Sequence, residues 1–167
     1  MAALIQKFPL ERRKIVKRFV STMVRWLVFF AILTVALFSW KPELLSPTFF
    51  MCLPVFWLAW AVWQWVYENN YFKAYFYDAA EDVLVIRKGW ITPRETNLPY
   101  EKLQDVYMDQ DVFDRLFKLF DVHVSTATSM SAFEAHVDGV NAENAEAIRK
   151  LLLAKIKGKR SKVTGFD

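Results

Sequence analysis

The sequence predicts a membrane-anchored α+β protein, in which a transmembrane hairpin of two helices precedes a small, mostly antiparallel β domain. Three observations carry this prediction: two uncharged apolar runs lie in the first half of the chain, alternating strand patterns follow them, and charged residues occur in blocks. Hydrophobic residues make up 54% of the 167 residues, yet charged residues still make up 24%. Apolar and charged positions must therefore be segregated along the chain.

The two apolar runs define the transmembrane hairpin, for which we expect residues 19–67. The first helix is expected over Phe19–Trp40. Ser46 is a candidate N-cap for the second helix, Pro47–Tyr67, which would span about 30 Å and so cross a bilayer core. A cleavable signal peptide is the competing interpretation. It is disfavoured because the basic region is too long and residues 36–40 lack a small-x-small cleavage site.

Basic residues crowd the two ends of the chain. Residues 1–25 hold seven Lys/Arg against one acidic residue, residues 67–148 hold seven against fifteen, and residues 149–167 hold seven against one. Because cytoplasmic flanks are rich in Lys and Arg, we expect a multi-pass protein of the cytoplasmic (inner) membrane with both termini in the cytoplasm. Residues 1–25 should form a basic cytoplasmic segment, able to fold as an amphipathic helix, and residues 158–167 a disordered basic tail. The residues expected to contact anionic lipid are Arg12, Arg13, Lys14, Lys17, Arg18 and Arg25.

Residues 68–157 should fold as a β domain that ends in a helix. Apolar and polar residues alternate at 122–125 and 133–138, and a β-branched run closes at Lys88-Gly89, so six or seven short antiparallel strands are expected in a sandwich or barrel. Val112, Leu116 and Leu119 have helical spacing and are expected to pack inward from one short helical turn. A last helix, capped by Asn141, should bury one apolar stripe against the strands. That stripe comprises Ala145, Ile148, Leu152 and Ile156.

Three motifs in this region carry a family resemblance. The chain reads Gly89-Trp90-Ile91 at a strand turn, LPYEKLQDV over residues 98–106, and Arg115-Leu116-Phe117 before Val122–Thr126. In these motifs, and in the two apolar segments before them, it resembles the bacterial pleckstrin-homology-like membrane proteins of the YdbS-like type. The resemblance implies a pleckstrin-homology-like antiparallel β-sandwich or barrel with a C-terminal capping helix. Lys118 is a departure, because the family often has glycine after that Arg-Leu-Phe triplet. The signature residues to which the resemblance gives structural roles are Gly89, Leu98, Pro99, Tyr100, Gln104, Asp105 and Arg115.

The sequence contains no recognisable catalytic centre, metal site or cofactor site. The single cysteine, Cys52, excludes an intrachain disulfide. His123 and His136 lack HxH or HxxxH spacing and alternate with apolar residues, so a solvated strand face is favoured over a metal ligand. Four carboxylates lack the spacing of a calcium loop and are expected on a solvated acidic face. These are Asp105, Asp109, Asp111 and Asp114.

Three classes of function remain open. The favoured one is an interaction or scaffold module that docks a protein partner or self-associates through an exposed sheet edge. The second is anionic-lipid sensing at the membrane surface, and the third, least favoured, is a membrane enzyme. A phosphoinositide site of the eukaryotic pleckstrin-homology type is not expected, because residues 77–82, the loop between the first two strands, are acidic. Nucleic-acid binding is disfavoured, since the β domain is acidic and the aromatic residues concentrate in the apolar runs. We therefore expect membrane lipids and a protein partner, but neither a cofactor nor enzymatic activity.

Overall fold

The computed structural model describes residues 3–41, 46–126 and 135–164, with side chains for 3–41, 46–126 and 136–159. The chain divides into two compact units: a helical unit, Ile15–Asn70, and a β unit that combines Met1–Lys14 with Tyr71–Asp167. The elements are α1 (Leu4–Lys7), α2 (Arg13–Trp40), α3 (Pro47–Ala74), β1 (Phe76–Ala79), β2 (Val83–Lys88), β3 (Arg94–Pro99), a 3₁₀ helix (Tyr100–Lys102), β4 (Leu103–Asp109), α4 (Val112–Phe117), β5 (Phe120–Thr126), β6 (Ala135–Val140) and α5 (Ala142–Thr164).

The two predicted long helices are present, and each is longer than its apolar run. α2 and α3 contain 28 residues each, about 42 Å of helix, and by length and composition alone both could cross a membrane. α2 begins six residues before the expected Phe19, and α3 continues seven residues past the expected Tyr67. The apolar pattern marks only part of each helix, because polar and charged residues continue it: α2 begins with Arg13 and Lys14, and α3 runs on through Glu68 and Asn69. Ser46 Oγ accepts the Phe49 N–H at 3.4 Å, as expected of the N-cap.

Within the helical unit, contacts between α2 and α3 include aromatic ring pairs and an ion pair. The rings of Trp26 and Trp60 meet edge-on with centroids 5.5 Å apart, and those of Phe30 and Trp57 with centroids 5.6 Å apart. Such pairs add about 0.5–1.5 kcal/mol beyond the area that they bury. At one end of this contact, Arg18 Nε donates to the buried Glu68 carboxylate at 2.5 Å. Arg18, which the sequence places among the expected lipid contacts, therefore forms an ion pair with a carboxylate of α3.

The β unit contains two three-stranded antiparallel sheets, ordered β1-β2-β3 and β4-β5-β6. The described strands thus match the predicted antiparallel architecture; residues 133–134 of the expected alternation lie outside the described residues. The second sheet has a bulge at Gln104, because Leu103 faces Thr126 and Asp105 faces Ser125. A bulge increases local twist, which curves the sheet around the core.

The core of the β unit lies between these sheets and α5. Leu84 and Leu103 from the sheets are fully buried there. The α5 stripe predicted from the sequence is buried against them at all four positions: Ala145, Ile148, Leu152 and Ile156. Asn141 Oδ1 accepts the Asn144 N–H at 2.8 Å, so it is the expected cap. α5 continues to Thr164, which corrects the expected disordered tail at residues 158–164; Lys and Arg extend this helix beyond its apolar stripe as well.

α4 is oriented differently from the expectation. Val112 and Leu116 are 82% and 71% exposed, so only Leu119 of the predicted packing stripe is buried. A capping box explains this: Asp114 N–H donates to Asp111 Oδ1 at 2.6 Å, and Asp111 N–H donates to Asp114 Oδ2. Asp114 is thereby buried, which corrects its expected place on a solvated acidic face.

Lys118 closes α4 in the left-handed conformation, with φ 55° and ψ 45°. A residue with a Cβ atom costs about 1 kcal/mol there relative to glycine. We therefore expect Lys118→Gly to raise the free energy of unfolding of the β unit by about 0.5–1 kcal/mol. Urea titration of the full chain in detergent micelles measures this. Lys118→Ala, which keeps the Cβ atom, is the matched control; an equal gain from that variant would contradict the backbone explanation.

Candidate functional site

The first fourteen residues of the chain belong to the β unit. Leu4 is buried in the core, and its N–H donates to Asp78 Oδ1 at 2.8 Å. Further along, Glu11 N–H donates to the carbonyl oxygen of Gly139, within β6, at 2.9 Å. The predicted basic segment 1–25 is thus not one element, since its first part completes the β unit and its second part begins α2.

A buried charge cluster ties this segment to the sheets. Lys14, only 2% exposed, places Nζ 2.9 Å from Asp138 Oδ2 and 2.9 Å from the carbonyl oxygen of Asp138. The same ammonium lies 3.7 Å from the centroid of the Tyr75 ring, a close cation–π contact. Tyr75 OH donates to Asp138 Oδ1 at 2.7 Å, and Lys88 Nζ reaches that oxygen at 3.0 Å. Two ammonium groups and one phenol therefore converge on one carboxylate.

The electrostatics of the cluster follow from this geometry. Burial alone would raise the pKa of Asp138, but the ammonium of Lys14, then that of Lys88, outweighs it and holds the pKa well below its usual range. Burial, with the Asp138 charge beside it, raises the pKa of Tyr75 well above its usual value. Asp138 is thus ionised and Tyr75 neutral at physiological pH, which is the protonation state that their hydrogen bond needs.

The six residues expected to contact lipid are therefore divided. Lys14 departs from that role, because its ammonium is buried against Asp138. Lys17 and Arg18 are partly buried, whereas Arg12, Arg13 and Arg25 are exposed. The sequence marks all six as basic but does not reveal that one of them has an acidic partner 124 positions away.

The loop between β1 and β2 is held closed by α5. Lys155 Nζ donates to the carbonyl oxygens of Ala79 and Ala80 at 3.0 and 2.5 Å, and Lys159 bonds the Asp82 carboxylate. Tyr100 OH also donates to the Ala80 carbonyl oxygen, at 3.2 Å. The adjoining cleft, of about 570 Å³, has the side chains of Lys7, Asp78 and Glu81 in its lining. Lys155 already donates to the loop carbonyls, and Asp78 and Glu81 add negative charge, so the cleft suits a phosphate poorly.

The two histidines stack on one face of the second sheet. His123 lies between Tyr107 and His136 in neighbouring strands, with ring centroids 5.1 Å apart on both sides. His123 Nε2 contacts Asp109 Oδ1 at 3.0 Å, and its side chain is largely shielded, in contrast to the expected solvated face. Asp109, Asp121 and His123 bring one potential ligand atom each within 4.8 Å of one another, a set that could hold a divalent cation. Asp121 Oδ1, however, already accepts the Gly139 N–H at 2.8 Å.

The seven signature residues differ in burial and in local structural role. Gly89 has φ 101° at the β2–β3 turn, Tyr100 is fully buried, and Pro99 is the last residue of β3. Leu98 packs against the core, and Asp105 Oδ1 accepts the Val106 N–H at the β4 bulge. Gln104 and Arg115 are exposed instead.

The model of one protein family matches residues 19–156, more than four-fifths of the chain, and its description is bacterial PH domain. The chain belongs to the bacterial PH domain family. This bears out the resemblance inferred from the turn and strand motifs. In this bacterial PH domain protein the match spans most of α2, all of α3, both sheets and most of α5, but starts after Lys14. No curated protein and no solved structure matches the chain.

Proposed function

We propose that this bacterial PH domain protein is a membrane-anchored interaction module. α2 and α3 cross the inner membrane as a multi-pass hairpin with both termini in the cytoplasm, where the β unit docks a protein partner or a second copy of the chain. The length and composition of the two helices support the anchor. The basic residues that precede the first apolar run support the orientation.

The contacts that hold the β1–β2 loop closed are the observation that favours protein docking over the binding of a lipid headgroup. This loop holds the basic phosphoinositide site in eukaryotic pleckstrin-homology domains. Here Glu81 and Asp82 lie in the loop and Asp78 in the preceding strand, and Lys155 and Lys159 of α5 bind the loop from within the chain. A headgroup phosphate would have to displace these contacts and approach the acidic side chains.

The outer edge of β3 is the docking surface that we favour. α1 packs against β1 at the opposite edge of that sheet, whereas no described strand pairs with the outer side of β3. Glu95 and Asn97 are exposed along it. An open edge offers unpaired backbone groups to an added strand, which is a recurring way in which a sheet binds a peptide.

Position-specific photo-crosslinking in native membranes tests this. With a photoreactive amino acid at Asn97 of the full chain, we expect a discrete protein adduct, because an added strand would lie about 5 Å from β3. A doubled mass indicates self-association, and any other discrete mass a partner. Lys150 on α5, whose side chain is 74% exposed, is the matched control. Adducts of equal yield at both positions, or none at Asn97, would contradict docking along β3.

Contact with anionic lipid is the second candidate function. Arg12, Arg13 and Arg25 favour it, because all three are exposed and lie beside the first apolar run. Each such residue near an anionic leaflet contributes about 1 kcal/mol of attraction, which falls off within a Debye length of about 10 Å. This contact would orient the module at the membrane surface without replacing protein docking.

A further inference from the structure

The turn between β2 and β3 exposes an aromatic and an apolar side chain between basic residues. Trp90 is 39% exposed and Ile91 is 60% exposed. The segment Arg87–Arg94 contains three basic residues and no acidic residue, although residues 67–148 as a whole hold fifteen acidic residues against seven basic ones. Arg87 and Arg94, on either side of the turn, are both exposed. The turn therefore differs in charge and polarity from the domain that carries it.

The backbone of the turn is fixed in shape. Gly89 has φ 101°, and a Cβ atom at this position would lie 2.4 Å from the Thr92 carbonyl oxygen. Pro93 further restricts the chain before it enters β3. A turn that is already ordered loses little conformational entropy when it binds a surface.

The strand register places this turn at a particular end of the first sheet. Phe76, the first residue of β1, pairs with Arg87, and only Tyr75 separates it from the end of α3. Lys88 shares the Asp138 carboxylate with Lys14, the second residue of α2. The turn thus follows the end of the first sheet that lies next to Lys14 and Tyr75, two residues close in sequence to the points where the chain leaves and re-enters the β unit.

The opposite end of β2 has the opposite charge. The β1–β2 loop there carries Glu81 and Asp82. The six residues of β2 separate the two ends by about 17 Å. An anionic surface would attract the basic turn and repel the acidic loop.

We propose that the β2–β3 turn is a second membrane contact, in which Trp90 and Ile91 insert at the headgroup boundary of the leaflet that α2 and α3 enter. The proposal rests on the membrane anchoring of the proposed function. Tryptophan prefers this boundary because its ring is apolar and its N–H is polar. Arg87 and Arg94 would face the anionic headgroups on either side. The contact would fix which face of the β unit, including β3, points to the cytoplasm.

An environment-sensitive fluorophore in the full chain tests the contact. Cys52→Ser removes the only cysteine, and Ile91→Cys then accepts an NBD label at the exposed tip. The labelled chain is reconstituted into phosphatidylcholine vesicles with about 30 mol% phosphatidylglycerol. We expect blue-shifted emission, quenching by nitroxide lipids, and iodide quenching about threefold weaker than for a label at Glu81→Cys in the acidic loop.

Three results would overturn the proposal, and they differ in what else they affect. If carbonate extracts the labelled chain from the vesicles, the anchor and the turn contact both fail. If the chain resists carbonate but the label at residue 91 is as open to iodide as the label at residue 81, only the turn contact fails. Shielding from iodide without quenching by nitroxide lipids would assign the turn to a protein contact and equally overturn the lipid proposal.

Discussion

Asp138→Asn is expected to lower the free energy of unfolding of the β unit by about 3–5 kcal/mol, the usual cost of leaving a buried charge without its partner. The buried Lys14 ammonium would lose the charged oxygen that lies 2.9 Å from it, because an asparagine amide is neutral. Urea titration of the full chain in detergent micelles measures this change in the free energy of unfolding, with protease sensitivity reporting the unfolding of the β unit. Glu95→Gln removes the same charge from an exposed site and should change stability by less than about 0.5 kcal/mol.

The pH dependence of the same variant distinguishes charge pairing from packing. Because the folded-state pKa of Asp138 is lowered, its contribution is fully present above the unfolded value of about 3.8 and is lost as pH falls towards the folded value. The wild type should therefore lose stability below about pH 4 more steeply than Asp138→Asn. Parallel acid profiles for the two chains would contradict the ion-pair explanation.

A double variant completes this test. Lys14→Met combined with Asp138→Leu removes the buried ion pair and fills the space with apolar side chains, and such replacements of buried pairs are often neutral or stabilising. Lys88 keeps its charge, but its side chain is 22% exposed and can be solvated. We expect the double variant to be more stable than Asp138→Asn. Tyr75 OH would still have an acceptor, the His136 carbonyl oxygen at 3.0 Å.

Features that depend on local spacing could be predicted from the sequence. The α5 stripe follows the 3.6-residue period, and Asn141 caps the helix because its side chain needs only the backbone three residues away. The strand turn at Gly89 is local in the same sense. These features confirm that short-range patterns specify the elements of this bacterial PH domain.

Features that depend on distant partners could not be predicted in the same way. Lys14 belongs by sequence to a row of basic residues, and only the tertiary fold brings it to Asp138. One signal was present nevertheless: Gly139 lies inside a strand, where glycine often marks a close approach of another segment. A Cβ atom at Gly139 would lie 2.6 Å from the Lys14 side chain, so that segment is the N-terminal one.

The orientation of α4 shows a third kind of limit. Val112 and Leu116 have the spacing of a packed face, but a six-residue helix makes less than two turns and its period determines little. The capping box and the buried Asp114 decide instead which side faces the core. Local polar contacts therefore outweigh apolar spacing in so short an element.

Gly89→Ala is expected to destabilise the β unit by about 2–4 kcal/mol, because backbone strain and steric overlap add. At φ 101° an alanine is strained, and its Cβ atom would meet the Thr92 carbonyl oxygen, a backbone atom that cannot rotate away. The same urea titration measures the loss. Gly158→Ala is a control of opposite sign: residue 158 lies in α5 with no atom within 4 Å of an added Cβ, so helix propensity should raise stability by up to about 1 kcal/mol. Equal effects of the two substitutions would mean that loss of glycine as such, and not the geometry of the turn, determines the outcome.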